Sequence, residues 1–324
     1  MCIWFIGNGV ANLVAGLIAY GIGRIDSSIA SWRLLFIILG AITVCWGIVL
    51  LFLLPDSPSK ARFLTPDERV VALHRTLENK TGVMDEDTYK LQQVFEALRD
   101  TQAWLLALFM LSVNISNGGT TTFSSVIIHN FGFSRLNSLL LQMPNGLFQL
   151  GGLAFIALCT TYVRNTRIFC MALMILFGLI GMIMVLALPD SRKFSRLGGL
   201  WLSAMWAADI PLALSLIASN IGGFTKRATV NGMMFIGYCV GNIIGPQLFL
   251  TKEAPRYPTG IKGLLSGFAL GIFFLCLLGL YYLVENSRRD RKYGVASAIS
   301  RDEELEEDLS NKTDREIPHF RYVA

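Results

Sequence analysis

The sequence predicts an all-α membrane protein of about eight transmembrane helices, arranged as two, then a long polar loop, then six. Three observations lead there. Hydrophobic residues make up 53% of the 324 and charged residues only 16%, against roughly a quarter charged in an ordinary soluble domain. Eight stretches reach the roughly 20 mostly apolar residues that a spanning helix needs: Ile3–Tyr20, Leu34–Leu54, Ala103–Val126, Leu136–Thr160, Ile168–Leu188, Leu197–Ser219, Ala228–Leu250 and Leu264–Val284. Asp209 is the one charged side chain in all eight, whereas buried helices of soluble proteins keep a polar face.

Met1 runs directly into the first stretch with no basic flank and no small-residue cleavage site, so no removable signal peptide is expected. The loop from Pro55 to Thr101 has its own order. Thr65-Pro66-Asp67-Glu68 reads as a capping box, with Thr65 as N-cap and Pro66 in the first turn. Val70, Val71, Leu73 and Leu77 follow at helical spacing, and Leu91, Val94, Phe95 and Leu98 mark a second amphipathic stretch. Their charges read as a solvated face. Beyond the last span, Glu303, Glu304, Glu306, Glu307 and Asp308 form an acidic block in a polar tail with too little apolar content to order itself.

Basic residues set orientation. Lys60, Arg62, Arg69, Arg75, Lys80, Lys90 and Arg99 share the long loop; Arg164, Arg167, Lys226, Arg227, Arg288, Arg289, Arg291 and Lys292 fall on the same side if the spans alternate. The bias puts the long loop and the C-terminus in the cytoplasm, and the net charge of +5 is no sign of nucleic-acid binding. The six cysteines, all in apolar stretches without a CxxC pair, read as packing residues. His74, His129 and His319 have no metal-ligand spacing. The sequons at Asn114 and Asn311 lie in a span and in a cytoplasmic tail, where no glycosylation is expected. No nucleophile elbow, P-loop or zinc-protease motif occurs, so neither enzyme chemistry nor a cofactor is expected.

An internal repeat organises the spans. Phe5-Ile6-Gly7-Asn8-Gly9-Val10-Ala11-Asn12 resembles Phe235-Ile236-Gly237-Tyr238-Cys239-Val240-Gly241-Asn242, placing Phe, Ile, Gly, Val and Asn in one register. Spans one and two then correspond to seven and eight. The domains follow: 1–54, the last two helices of an N-terminal half; 55–101, a cytoplasmic linker with amphipathic helices; 102–285, a six-helix C-terminal half; 286–324, a disordered cytoplasmic tail. Two parallel six-span halves joined by a long loop are the architecture of major facilitator transporters, here in partial form.

Particular segments carry a closer resemblance. They are Ser31-Trp32-Arg33-Leu34-Leu35-Phe36, Leu54-Pro55-Asp56-Ser57-Pro58 with Lys60-Ala61-Arg62-Phe63-Leu64-Thr65, Asn117-Gly118-Gly119 with Thr121-Thr122-Phe123, and Leu140-Leu141-Gln142-Met143-Pro144. Later come Ser219-Asn220 with Thr225-Lys226-Arg227, and Gly237-Tyr238 through Gly245-Pro246. Together these resemble the fungal allantoate permease family of anion:cation symporters, aligned from its fifth span onward, so the family's first four spans are expected to be lacking. The resemblance implies proton symport of a small organic anion, such as a ureide or vitamin carboxylate, across a fungal plasma membrane. The implied partners are the solute, protons and the lipid bilayer.

Asp209 is the candidate proton-coupling residue, because an ionisable group inside a span is costly and Pro211 interrupts the helix just beyond it. Asn114, Asn117 and Gln142 are candidate substrate-binding residues, since amides both donate to a carboxylate and accept from an amide. Gly118 and Gly119 are expected to loosen the helix beside Asn117. Asn114, Asn117 and Gln142 equally suit interhelical hydrogen bonding, worth about 0.6 kcal/mol in membranes, and both roles stay open for them; for Asp209 the other role is a neutral carboxyl bonded to a neighbouring helix. Asn8, Asn12, Asn231 and Asn242 read as structural, Gly237, Gly241 and Gly245 as a close-packing seam, and Lys226 and Arg227 as orientation signals. The alternative function is a transport-inactive membrane protein that binds a ligand or partner.

Overall fold

A computed structural model of the chain describes residues 2–25, 28–55, 61, 63–78, 89–163, 165–294 and 311–324. The acidic block at 303–308, the stretch 56–60, Arg62, Lys80 and Arg164 lie outside these residues. Among the described residues every regular element is helical: α1 Cys2–Gly23, α2 Ser31–Leu53, α3 Pro66–Glu78, α4 Leu91–Leu98, α5 Thr101–Asn130, α6 Arg135–Leu140, α7 Met143–Tyr162, α8 Arg167–Ala187, α9 Lys193–Ser203, α10 Asp209–Asn220, α11 Phe224–Gln247 and α12 Pro258–Tyr293. Seven helical runs are long and apolar enough to cross a membrane. The thirty residues of α5 also suffice in length, at a rise of about 1.5 Å each, but its middle is polar.

The chain divides into two compact units. One comprises Gly21–Tyr89 with Ala298–Lys312. Within it, α2 buries none of its residues and exposes Trp32, Phe36, Ile42, Trp46 and Phe52. A helix apolar on all sides finds its contacts in lipid or other helices rather than water. The capping box forms at the start of α3: the Thr65 amide donates to Glu68 Oε2 at 2.9 Å and the Glu68 amide to Thr65 Oγ1 at 3.4 Å.

The other unit comprises Met1–Tyr20, Lys90–Ser297 and Thr313–Ala324, so its limits cut across the boundaries expected at residues 54 and 101. Its core is built on α5, which packs against α11 and α12, with Leu106, Phe109, Met110 and Val113 buried. The glycine seam on α11 explains the close approach: a Cβ at Gly237, Gly241 or Gly245 would strike the backbone carbonyl of Ala107, Leu111 or Ile115 on α5. The expectation that Gly118 and Gly119 loosen α5 is corrected. The helix runs through them unbroken, and a Cβ on Gly118 would lie 2.6 Å from the Asn242 carbonyl. Gly118 is small because α11 lies against it.

Two runs read as continuous are interrupted. The first breaks at Leu141–Gln142 between α6 and α7, where Trp201 Nε1 donates to the Leu141 carbonyl at 2.7 Å and replaces a lost backbone partner. The second tightens into a 3₁₀ segment at Ala204–Ala208, between α9 and α10. The tail also differs from expectation. Helix α12 continues to Tyr293, and Thr313–Ala324 pack back onto the six-span unit, with Thr313, Asp314, Ile317 and Tyr322 buried. The polar composition between Arg288 and Asp308 hid this short segment.

Candidate functional site

Polar side chains from four spans and α1 surround a cavity of about 330 Å³. Helix α1 contributes Asn8 and Asn12; α5 contributes Asn117, Thr120, Thr121 and Ser124; Gln142, Asn145 and Gln149 come from the broken α6–α7 run; Ser203, Ala204, Trp206 and Ala207 come from the α9–3₁₀ junction, and Tyr238 from α11. Amides and hydroxyls dominate, and among the described residues no Lys, Arg, His, Asp or Glu lines the cavity.

Two amide networks hold parts of the wall. On one, Gln149 Nε2 donates to Asn8 Oδ1 at 2.8 Å, and Asn12 Nδ2 donates to Gln149 Oε1 at 2.8 Å. On the other, Asn117 Nδ2 donates to Asn242 Oδ1 at 3.0 Å, while Asn242 Nδ2 donates to Asn114 Oδ1 at 3.1 Å and to the Tyr238 carbonyl at 2.9 Å. Asn12 and Asn242, the matching positions of the sequence repeat, thus each anchor one network. Asn145 Oδ1 is buried among the lining residues with no hydrogen-bond partner, an acceptor placed where a donor would satisfy it.

The structure sorts the four candidate residues. Asn117 and Gln142 line the cavity. Asn114 does not: it is fully buried, and its Nδ2 donates to the Met110 carbonyl at 2.7 Å while its Oδ1 accepts from Asn242 and Asn117. It positions the two amides beside it and is not a lining residue. Asp209 does not line the cavity either. It opens α10, three residues beyond the lining Trp206, 1% exposed, and neither carboxyl oxygen has a partner. An ionised carboxylate placed there would have no compensating donor. Sequence reading set aside Asn8 and Asn12 as structural and passed over Asn145 and Gln149; all four are polar residues within apolar runs, the one signal available.

A second polar site lies where α5 and α11 begin. Lys226 is fully buried, and its Nζ meets Asp314 Oδ1 at 2.6 Å, Asp100 Oδ2 at 2.7 Å and Glu96 Oε1 at 2.9 Å. Lys226 is therefore the centre of an ion cluster and not an orientation signal at a surface. Gln93 of α4 caps α11, its Oε1 accepting from the Thr225 and Lys226 amides at 3.1 and 3.2 Å. Leu91, Phe95 and Leu98 of α4 are exposed while Gln93 and Ala97 are buried, so α4 docks through Gln93 and Ala97 and not through its large apolar side chains. Burial opposes the charge on Asp100, but the Lys226 ammonium, Arg315 and the Gln102 amide outweigh it and hold its carboxyl below the ordinary carboxylate range. The C-terminal segment closes the cluster. Tyr322 OH donates to Asp314 Oδ2 at 2.7 Å, Asn286 and Asn220 exchange paired hydrogen bonds with the Tyr322 and Val323 backbone at 2.7–2.8 Å, and the Arg289 guanidinium binds the carbonyls of Asp314, Ile317 and Phe320.

Comparison with known proteins fits a helical bundle around a polar cavity. The sequence profile of the Major Facilitator Superfamily matches residues 1–246. The chain belongs to that superfamily. Its relatives there include an allantoate permease of Saccharomyces cerevisiae, 34% identical over 99% of this chain, and an uncharacterised transporter of Schizosaccharomyces pombe, 35% identical over 98%. A thiamine pathway transporter of Saccharomyces cerevisiae is 30% identical over 99%. The chain spans about 60% of the length of each of these three superfamily relatives. It is a multi-pass membrane protein of that superfamily.

Proposed function

We propose that the chain forms part of a proton-coupled transporter that moves a small organic anion, such as a ureide or vitamin carboxylate, across the plasma membrane. The observation that carries this reading is the uncharged, amide-lined cavity with Asn117, Gln142 and the unpartnered Asn145 acceptor in its walls. Such a wall suits the hydrogen-bonding part of a solute, because amides both donate and accept. It offers no cation, so it recognises the ureide or amide end of the anion, and the carboxylate's counter-charge lies outside the lining residues.

Asp209 is the proton-coupling group of this proposal. It sits where the α9–α10 run passes through a 3₁₀ turn, and Pro211 cannot donate to the preceding turn. Gain or loss of one proton at a buried, unpartnered carboxyl changes the local charge balance by a full unit. The tightened turn supplies a segment able to respond. Rocking of helices around the cavity then alternates access. The charge distribution of the loops supports a cytoplasmic long loop and C-terminus.

The test is uptake of radiolabelled allantoate by cells expressing the chain, with surface abundance measured in parallel. Asn145→Leu removes a buried acceptor that has no hydrogen-bond partner, so thermal stability is expected to hold or rise. Uptake at low solute should drop about tenfold for the loss of one hydrogen bond of about 1.4 kcal/mol. Asp209→Asn is expected to abolish dependence of uptake on the proton gradient. Undiminished gradient-driven uptake by Asp209→Asn would remove Asp209 from the mechanism. Solute binding without any uptake would favour the ligand-binding alternative.

A further inference from the structure

The end of α12 and the returning C-terminal segment enclose a second cavity, of about 370 Å³, whose chemistry differs from the first. Among the described residues Arg288, Arg289, Lys292 and Arg315 line it against a single carboxylate, Glu285. Arg289 is committed to the tail carbonyls and to Tyr322 OH, so it builds the wall. Arg315 reaches Asp100 at 3.3 Å yet stays 41% exposed. The Arg288 side chain is 75% exposed and held to Glu285 at 3.4 Å, and the Lys292 ammonium lies over the Tyr293 ring at 4.8 Å. Three cations with exposed ends therefore converge, and among the described residues lining the cavity Glu285 is the one carboxylate.

Arg288 and Lys292 also line an adjoining cavity of about 680 Å³, shared with Arg291, Leu283 and Val284. Along one side of α12 the order is Leu280, Leu283 and Val284, each more than half exposed, and then Arg288, Arg291 and Lys292. At three- and four-residue spacing these form one stripe, apolar within the span and basic beyond it. An acyl chain suits the first part and a phosphate the second, since a phosphate's oxygens accept from guanidinium and ammonium donors together.

We propose that this cavity binds a phosphate-bearing anion, and that the headgroup of an anionic phospholipid is its source. The apolar ledge beside Arg288 argues for lipid, because a soluble phosphate gains nothing from Leu283 and Val284. The site depends on the docked tail, which supplies Arg315 and Tyr322 to its wall.

Native mass spectrometry of the purified full chain in detergent tests the proposal, with phosphatidylinositol 4-phosphate, phosphatidylcholine and soluble inositol 1,4-bisphosphate as probes. Retention of phosphatidylinositol 4-phosphate over phosphatidylcholine is expected. Arg288→Gln with Lys292→Gln should weaken it about thirtyfold, at about fivefold per basic side chain removed. Both side chains are exposed, so an unchanged melting temperature will confirm that the variant is folded. Lys262→Gln, an exposed lysine near the opposite end of α12, should leave binding unchanged. Equal retention of the two lipids, or equal binding by the double variant, overturns the site. Equal binding of the soluble bisphosphate, lost in the double variant, keeps the phosphate site but overturns the lipid as its source.

Discussion

Replacing Asp314 with Asn tests whether the C-terminal segment is part of the folded bundle. Asp314 Oδ1 accepts from Lys226 Nζ at 2.6 Å and from the Gly222 amide at 3.3 Å; Oδ2 accepts from Tyr322 OH at 2.7 Å and from Gln102 Nε2 at 3.3 Å. All four partners are donors, so the amide nitrogen of Asn must face at least one of them. Lys226 keeps Asp100 and Glu96, so its charge is not orphaned, and the loss falls at the low end of the 3–5 kcal/mol typical of broken buried pairs, about 3 kcal/mol. An opposing effect is relief of repulsion between Asp100 and Asp314. It is the weaker one, because each carboxylate lies closer to the shared ammonium than two carboxylates can approach each other, and Gln102 bridges the pair. For a unit of this size, about 3 kcal/mol lowers the melting temperature by about 6–12 °C. The assay is thermal unfolding of detergent-solubilised protein. Arg256→Gln breaks an exposed ion pair with Asp190 and serves as control, costing about 0.5 kcal/mol or less. A melting temperature unchanged by Asp314→Asn would refute docking of the tail.

The docked tail also has pH limits. Asp100 is held below its ordinary 3.8, so its contribution is complete above that value and is lost as pH falls through the lower folded value. Tyr322 is raised above its ordinary 10.0, by burial first and then by Asp314, so its contribution is complete below pH 10 and lost as pH rises beyond; protection of the tail from carboxypeptidase should therefore be flat between about pH 4 and 10. Gly241→Val places a side chain against the Leu111 carbonyl and should cost about 3 kcal/mol or more, read as reduced folded yield in the membrane. Spin labels on α5 and α11 should keep their separation when allantoate is added, while a label on α10 moves relative to α5; an unaltered α10 distance would count against the 3₁₀ segment as the responsive part.

Much of the bundle was legible because lipid demands long apolar runs, and a 20-residue run resembles nothing else in a sequence. The interruptions were less legible. Nothing in Leu136–Thr160 distinguishes the break at Gln142 except Pro144, and a proline at the second position of a helix is also compatible with a kink in a continuous one. The glycine seam of α11 was readable from its four-residue spacing. Gly118 was not, since its reason is the backbone of a helix 124 residues further along. The ion cluster was hidden for the same reason: Glu96, Asp100 and Asp314 meet Lys226 across 130, 126 and 88 residues. Asn114 and Asn117, three residues apart, looked equivalent; only the position of α11 turns one toward the cavity and the other toward its support.

The pairing of α5 with α11 then bears on how such a bundle could move. Lys226 and Asp100 join the two helices where they begin, Asn117, Asn114 and Asn242 join them midway, and Phe123 stacks on Phe249 at 4.3 Å and 6° at the far end. The glycine seam fills the interval with backbone contact. A pair fixed at three levels over roughly 35 Å, at about 1.5 Å per residue, behaves as one rigid body, since packed interfaces shift between discrete arrangements and do not deform smoothly. The α9–α10 run is interrupted at its centre: it carries a 3₁₀ turn, a proline and a carboxyl with no partner. Under the proposed mechanism, a proton arriving at Asp209 would therefore act on the interrupted element of the cavity wall, while the amides of α5 and α11 would hold their geometry for the solute.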